Sequence, residues 1–198
     1  MWDYNIAIAK EAARLGFDEI NFDYVRFPSD GNIRQAVYSN LEGNKTKTMT
    51  GFYSYLSRQL SDANVFTSLD MFGLVLESGS FDLNIGQTLA AAKDTVHYIY
   101  PMTYPSHYAD GHLGYANPAQ YPYEIVSNGL RMARSEMLGS TTRLRPWLQA
   151  FDLGAVYDAR KIRAQITAAE ESDLTDGWFL WNASNRYTDA GLKAKNAL

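Results

Sequence analysis

Two aspartates stand at the ends of neighbouring predicted strands and can serve as a catalytic pair. Asp23 follows an alternating segment in which Ile20, Phe22 and Tyr24 share one face, so its carboxylate belongs to the opposite, polar face. Asp70 lies on one face of the next predicted strand. Two carboxylates on adjacent strand ends are the groups that glycoside hydrolysis requires, because one attacks or stabilises the anomeric carbon and the other protonates the leaving oxygen. A separation of about 5 Å indicates retention and one of about 6.5–9.5 Å indicates inversion.

Each carboxylate has an alternative interpretation. An aspartate at a strand end also caps helices or binds loop amides, and this reading stays open for Asp23. Glu77, in the loop after the second strand, is an alternative acid. Because the sequence gives no distance between carboxylates, the identity of the acid and the stereochemical outcome both stay open.

The other predicted strands carry further polar and aromatic side chains toward the same end. Arg26 follows Asp23, and its charge can keep that carboxylate ionised. Hydroxyls, imidazoles and amides hydrogen-bond sugar hydroxyls and aromatic rings stack on a pyranose, although an aromatic barrel core is the alternative interpretation. The predicted substrate-binding residues are Arg26, Tyr104, His107, Trp147, Gln149, Trp181 and Asn182.

Five strand–helix units provide a scaffold that brings these strand ends together. The predicted strands cover residues 19–27, 64–75, 96–104, 144–151 and 177–182. Strands that alternate with helices predict a parallel sheet with right-handed crossovers. Five strands are too few for a closed eight-stranded TIM barrel, which leaves an open doubly wound sheet or an incomplete barrel. No glycine-rich phosphate loop follows a strand and polar residues recur at every strand end, so we expect a partial (β/α)8 barrel in a single domain, 1–198.

Composition narrows the partners and cofactors. The net charge of -4 and the lack of a basic patch argue against a nucleic-acid partner. The chain has no cysteine, which excludes disulfides, thiol nucleophiles and cysteine metal sites. The three histidines show no metal-binding spacing, so we expect no metal and no cofactor. No segment is long and apolar enough to span a membrane.

Several long segments resemble one known family. The segments that carry the resemblance are Phe17–Gly31, Asp70–Leu74, Asn84–Gln87, Tyr100–Tyr108, Arg145–Phe151 and Gly177–Thr188. They are similar to the bacterial "putative glycosyl hydrolase" family called domain of unknown function 4015, and the resemblance spans nearly the whole chain.

The resemblance implies a TIM-barrel hydrolase, distantly similar to the α-amylase-like barrels. In those enzymes a nucleophilic aspartate ends the fourth strand and the acid/base ends the fifth, which transfers the two roles to Asp23 and Asp70. The usual acid there is a glutamate, so the second transfer departs from the pattern. The five predicted strands would then correspond to strands four to eight, with the first three units preceding Met1.

An incomplete barrel would expose two sheet edges and apolar interior surface. We therefore expect the chain to dimerise, to rearrange or to need the missing half. The expected location is outside the bacterial cell or in its envelope, with any export signal outside this chain. The leading hypothesis is a glycoside hydrolase acting on a polysaccharide; the alternatives are a carbohydrate-binding barrel fragment without catalysis and an inactive structural fragment that is stable only as an oligomer.

Overall fold

The architecture is a parallel half-barrel sheet with helices on its outer side. A computed structural model describes residues 1–39, 41 and 43–193; Asn40, Glu42 and the last five residues of the predicted domain lie outside the described part. All five strand pairings are parallel, and the order across the sheet is β1-β2-β3-β5-β6, with β4 pairing with β3 ahead of β5. The strands are β1 (Glu19–Phe22), β2 (Phe66–Phe72), β3 (Tyr98–Thr103), β4 (Arg143–Leu144), β5 (Trp147–Gln149) and β6 (Phe179–Trp181).

In the described ranges, five α-helices alternate with these strands. Three of them begin at side-chain caps: Asn44, Thr88 and Asp158 each accept a hydrogen bond from a backbone N–H of the first turn, which satisfies an otherwise unpaired donor. The helices are α1 (Trp2–Arg14), α2 (Lys45–Leu60), α3 (Leu89–Ala92), α4 (Pro122–Met137) and α5 (Ala159–Glu170), and short 3-10 helices cover Ile33–Gln35, Gly73–Leu76, Pro105–His107, His112–Gly114 and Pro118–Gln120. None of the helices in the described ranges is long and apolar enough to cross a membrane.

The hydrophobic core lies between the sheet and the helices. Leu69 and Met71 of β2 and Ile99 of β3 are completely buried in it, together with Leu56 of α2 and Ile166 of α5. On β2, the residues that alternate with these turn to the concave side of the sheet, where Asp70 accepts a hydrogen bond from the neighbouring strand's Asn21. The helices therefore anchor one face of every strand and leave the other face for the interior of the barrel.

The observed strands are shorter than the predicted ones for local reasons. The first strand stops at Phe22 because Tyr24 adopts a left-handed conformation with φ 52°. The predicted fourth strand is split into β4 and β5 around Pro146, which has no N–H to offer the sheet. The helix predicted around Ile85–Ala92 begins only at Leu89, after two left-handed residues, Asn84 and Gly86.

The half-barrel is strongly curved and open on one side. Arg145, which follows β4, reaches across the concave face to an ion pair of 3.0 Å with Glu19 on the edge strand β1. Within the described residues, β1 and β6 each pair with one neighbour only. Aromatic side chains of the concave face are exposed, since Phe66 of β2 is 49% and Phe179 of the edge strand β6 36% accessible. The mixed α/β fold with a parallel half-barrel is thus confirmed, whereas its correspondence to strands four to eight stays a prediction.

Candidate active site

A cavity of about 470 Å³ lies at the carboxyl ends of the strands, where barrels of this kind place their chemistry. The structure brings seven of the nine predicted site residues to it. These are Asp23, Arg26, Asp70, Tyr104, His107, Trp147 and Trp181. Their assignment to catalysis or sugar binding stays a prediction.

Asp70 is a buried carboxyl held by two donors from other strands. Its Oδ1 accepts a hydrogen bond of 3.0 Å from Asn21 Nδ2 and one of 2.9 Å from Trp147 Nε1. Only 9% of the residue is exposed, and this burial raises its pKa above the usual value, with a smaller contribution from the negative charge of Asp23. The two hydrogen bonds act in the opposite direction. A carboxyl in this environment keeps its proton to higher pH, as a proton donor must.

Asp23 is exposed at the mouth of the same cavity. Its Oδ1 accepts a hydrogen bond of 2.6 Å from the backbone N–H of Tyr24. The left-handed turn at Tyr24 comes directly after Asp23, so the end of β1 is a sharp bend that presents the carboxylate beside the neighbouring strand. The two carboxyls therefore differ in environment, one buried and one exposed, which is how paired carboxylates acquire different roles.

Arg26 lines the cavity without an ion pair to Asp23 among the described residues. Its guanidinium lies over the rings of Tyr24 at 5.1 Å and Phe72 at 4.9 Å from the ring centres. It also donates a hydrogen bond of 3.0 Å to the carbonyl of Phe27. The guanidinium of Arg26 thus lies near two aromatic rings at the cavity wall, and its predicted effect on the ionisation of Asp23 stays a prediction.

Aromatic rings form one wall of the cavity. Trp147 lies edge-on to Trp181, with ring centres 5.9 Å apart, and 4.8 Å from Phe179. Trp181 is 40% exposed, so one surface of its ring is free to contact a ligand. Trp147 has a double function, since its ring joins this wall while its N–H orients Asp70.

Tyr104 and His107 line the same cavity from the segment that follows β3. Burial raises the pKa of Tyr104, and the charges of Asp70 and Asp23 act in the same direction, so its hydroxyl stays neutral. Burial lowers the pKa of His107, which favours the neutral imidazole. The two rings lie 5.4 Å apart. Both side chains are thus suited to neutral hydrogen bonds rather than to charge pairing.

Gln149 and Asn182 are not part of the cavity lining. Gln149 is completely buried; its Oε1 accepts a hydrogen bond from the N–H of Ser106 at 3.1 Å, and its Nε2 donates to the carbonyl of Phe151 at 2.9 Å. Asn182 donates to the carbonyl of Ala150 at 2.6 Å and accepts from the N–H of Ser184 at 2.9 Å. Both amides bond to loop backbone, so in this structure they fix the loops around the site.

Gln87 is a cavity residue that the sequence reasoning did not single out as a site residue. Its amide is almost completely buried and donates to the carbonyls of Val25 at 3.2 Å and Asp70 at 3.3 Å, while its Oε1 accepts from the N–H of Phe72 at 3.0 Å. It therefore ties the loop after β1 to the strand that carries Asp70. The sequence offered one indication of this role: Gln87 belongs to the segment Asn84–Gln87, which carries part of the family resemblance.

Glu77, the alternative acid, lies behind the cavity wall and is not among the residues that line it. Its Oε2 is 3.3 Å from His112 Nε2. Within the described residues, no group of three or more histidine, aspartate or glutamate side chains is arranged to hold a metal ion. The site is thus built from two carboxyls, one guanidinium and a set of aromatic and neutral polar groups.

Solved structures that are similar to this chain include the following two. The spore cortex-lytic enzyme SleL from Bacillus megaterium QM B1551 is 15% identical, with a TM-score of 0.59 over 91% of this chain and 49% of that chain. The glycoside hydrolase domain of PgaB (BpsB) from Bordetella bronchiseptica is 18% identical, with a TM-score of 0.46 over 70% of this chain and 37% of that chain. The chain thus spans less than half the length of both structures. None of the curated proteins matches it.

The family comparison covers most of the chain. The family described as "Putative glycosyl hydrolase domain", domain of unknown function 4015, matches residues 1–187. That range contains every strand, every helix and the whole of the cavity described above. The chain belongs to this glycosyl hydrolase family.

Proposed function

We propose that the protein is a glycoside hydrolase that cleaves a polysaccharide with Asp70 as the acid and Asp23 as the nucleophile or base. The observation that carries the proposal is that both carboxyls line one aromatic-walled cavity in contrasting environments. Membership of the glycosyl hydrolase family supports the class of reaction. The sugar, the linkage and the stereochemical outcome are to be determined by experiment.

The proposed reaction begins with a protonated Asp70. Its raised pKa favours the form that donates a proton to the glycosidic oxygen. Asp23 either attacks the anomeric carbon or removes a proton from the water that does so, and the two routes differ in the configuration of the product. Trp181 offers a stacking surface for a sugar ring, and Tyr104 and His107 offer neutral hydrogen bonds.

A cleavage assay with bacterial cell-envelope polysaccharides tests this proposal. We expect the wild-type chain to release new reducing ends and Asp23→Asn to release about 10²–10⁴-fold fewer. Asp94→Asn is the matched control, since Asp94 accepts hydrogen bonds from Ser140 and Thr141 away from the cavity. Undiminished cleavage by folded Asp23→Asn would exclude the assigned role. NMR of the first anomer released distinguishes retention from inversion.

A carbohydrate-binding fragment is the second candidate, and the open half-barrel favours it. The chain spans 49% of the SleL chain, and its interior aromatic rings are exposed at the open side. In that case the chain binds glycan without turnover, and Asp23→Asn binds equally well.

We further propose that additional strands, from a second copy or from another part of a longer protein, cover the open edges. Sedimentation of the isolated chain measures whether two copies associate. The proposed location is the cell envelope or the exterior of a bacterium.

A further inference from the structure

A group of buried polar side chains lies behind the wall of the cavity. Glu77 follows the 3-10 helix Gly73–Leu76, while Tyr108 and His112 belong to the loop after β3. Glu77 Oε2 lies 3.3 Å from His112 Nε2, and the two side chains are only 14% and 19% exposed. This close contact, which lacks the geometry of a hydrogen bond, therefore brings the loop after β2 against the loop after β3.

Tyr108 connects this pair to the cavity. Its ring lies 4.8 Å from that of His112, and the residue also lines the cavity next to His107. The residue is only 6% exposed; this burial raises the pKa of the phenol, and the charge of Glu77 adds to the effect, so the hydroxyl stays neutral. A Cβ on Gly73 would lie 2.9 Å from that hydroxyl. The Tyr108 hydroxyl thus occupies space that the Cβ of any residue other than glycine at position 73 would crowd.

The group is costly for folding. Glu77 Oε1, Ser78 Oγ, the Tyr108 hydroxyl and His112 Nε2 are buried without a hydrogen-bond partner among the described residues. A Cβ on Gly129 of helix α4 would lie 3.7 Å from Glu77 Oε1, so this glycine brings no side chain that could bond to the carboxylate. Each unpaired buried atom costs about 1–3 kcal/mol, so stability alone does not explain the arrangement.

We propose that Glu77 and His112 are positioning residues that hold the loop of residues 105–115, through Tyr108, so that His107 faces the cavity. The inference rests on the proposed function only in that His107 then belongs to the sugar site. It also gives Glu77 a structural role instead of the role of catalytic acid that was the alternative to Asp70. The carboxylate acts on the loop through His112 and Tyr108 and does not reach the cavity itself.

Histidine side-chain NMR tests this directly, because the chain has only three histidines. We expect Glu77→Gln, which keeps the size and removes the charge, to shift the ring signals of both His112 and His107. His97 is the internal reference, since its Nδ1 accepts from the N–H of Thr67 at 3.0 Å at the other end of β3. Asp94→Asn is the matched control and should leave the signals of His107 and His112 unchanged.

Hydrogen exchange separates positioning from general stability. In Glu77→Gln the amides that close the loop, such as Gly111 N–H, which donates to Tyr115 at 2.8 Å, should exchange about tenfold faster, while the amides of β2 and β3 keep their rates. Equal acceleration throughout the chain would overturn the proposal, and so would an unchanged His107 signal together with unchanged loop exchange.

Two further variants keep the test available if Glu77→Gln does not fold. His112→Phe retains a ring against Tyr108 but removes the nitrogen that faces Glu77, and we expect it to shift the His107 signal and to accelerate loop exchange in the same way. Tyr108→Phe should do the same if its hydroxyl transmits the contact. The NMR and hydrogen-exchange measurements do not depend on glycan cleavage, so they hold whether or not the proposed function is correct. Reduced cleavage by Glu77→Gln with an unchanged His107 signal and unchanged loop exchange would assign Glu77 a direct part in the chemistry and would overturn the positioning role.

Discussion

The same strands carry charged groups at both ends of the half-barrel interior, and the two ends treat those charges differently. At the amino end, which we call the floor, Glu19 is bonded to Tyr100 and pairs with Arg145 at 3.0 Å. The Arg145 guanidinium also lies 3.4 Å from the ring centre of Tyr98 and donates to the carbonyl of Asp176 at 2.7 Å. Each charge of this floor has a partner of opposite sign.

At the carboxyl end, by contrast, the charges lack partners of opposite sign in the part of the chain that the structure describes. Asp70 is bonded only to neutral donors, and Asp23 is bonded to a backbone N–H. The guanidinium of Arg26 lies near two aromatic rings and forms no ion pair with a carboxylate among the described residues. The charged groups of the floor thus bind one another across the sheet, whereas those at the cavity have no ionic partner within the described residues. In TIM barrels the amino-terminal face generally serves stability and the carboxyl-terminal face carries the chemistry.

The largest effect that tests this comparison is on activity. Asp70→Asn keeps an oxygen that can accept from Asn21 and Trp147 but loses the proton that the proposed reaction needs. We expect cleavage of a responsive polysaccharide to fall about 10²–10⁴-fold. Wild-type activity should itself decline as the pH rises through the raised pKa of Asp70, because the acid is then ionised. A variant as active as the wild type would remove Asp70 from the mechanism.

The next effect is on the stability of the floor. Arg145→Met removes the partner of the half-buried Glu19, so we expect the free energy of unfolding to fall by about 3 kcal/mol. Urea denaturation measures this loss. Arg160→Met is the control, since Arg160 pairs with Asp158 on the surface and is 92% exposed, and it should cost less than about 1 kcal/mol. Similar losses in the two variants would show that the floor is not special.

A pair of tyrosine variants compares the two ends with the same chemical change. Tyr100→Phe removes a hydroxyl bonded to Glu19 and should lower the free energy of unfolding by about 1.5 kcal/mol. Tyr104→Phe removes a hydroxyl without a hydrogen-bond partner among the described residues and should change it by less than about 0.5 kcal/mol. Thermal or urea unfolding of both proteins measures the difference. An equal cost at both positions would break the comparison.

The smallest expected effect is a gain in stability at the cavity. The folded-state pKa of Asp70 is raised, so the stabilising contribution of its neutral form is complete below the ordinary pKa of about 3.9 and is lost as the pH rises through the folded-state pKa. Asp70→Asn cannot ionise and escapes this loss. We therefore expect the variant to be more stable than the wild type at pH 7 and equally stable below the ordinary pKa. A lower stability at pH 7 would indicate that Asp70 serves the fold.

Gln149 and Arg145 show where sequence reasoning stopped. On the predicted fourth strand each lies two residues from Trp147, so a strand places all three on one face, and this pattern assigned Gln149 to the sugar site. In the structure, loop backbone from Ser106 and Phe151 bonds to the Gln149 amide, while Arg145 reaches Glu19, 126 residues away. Alternation gives the face of a strand; it does not tell which loops will cover that face or how far the sheet curves.

The sequence by itself determined the order of strands and helices, the polar face of each strand and the location of Asp23 and Asp70 near strand ends, because these depend on local periodicity and on turn residues. Only the tertiary structure decided their environments. Asp70 became a buried carboxyl because Asn21 and Trp147, 49 and 77 residues away, meet it across the sheet. Glu77 lies behind the cavity wall, where its Oε2 is 3.3 Å from Nε2 of His112, 35 residues away in the sequence. Burial and partner choice depend on contacts between distant segments, and a local pattern does not specify such contacts.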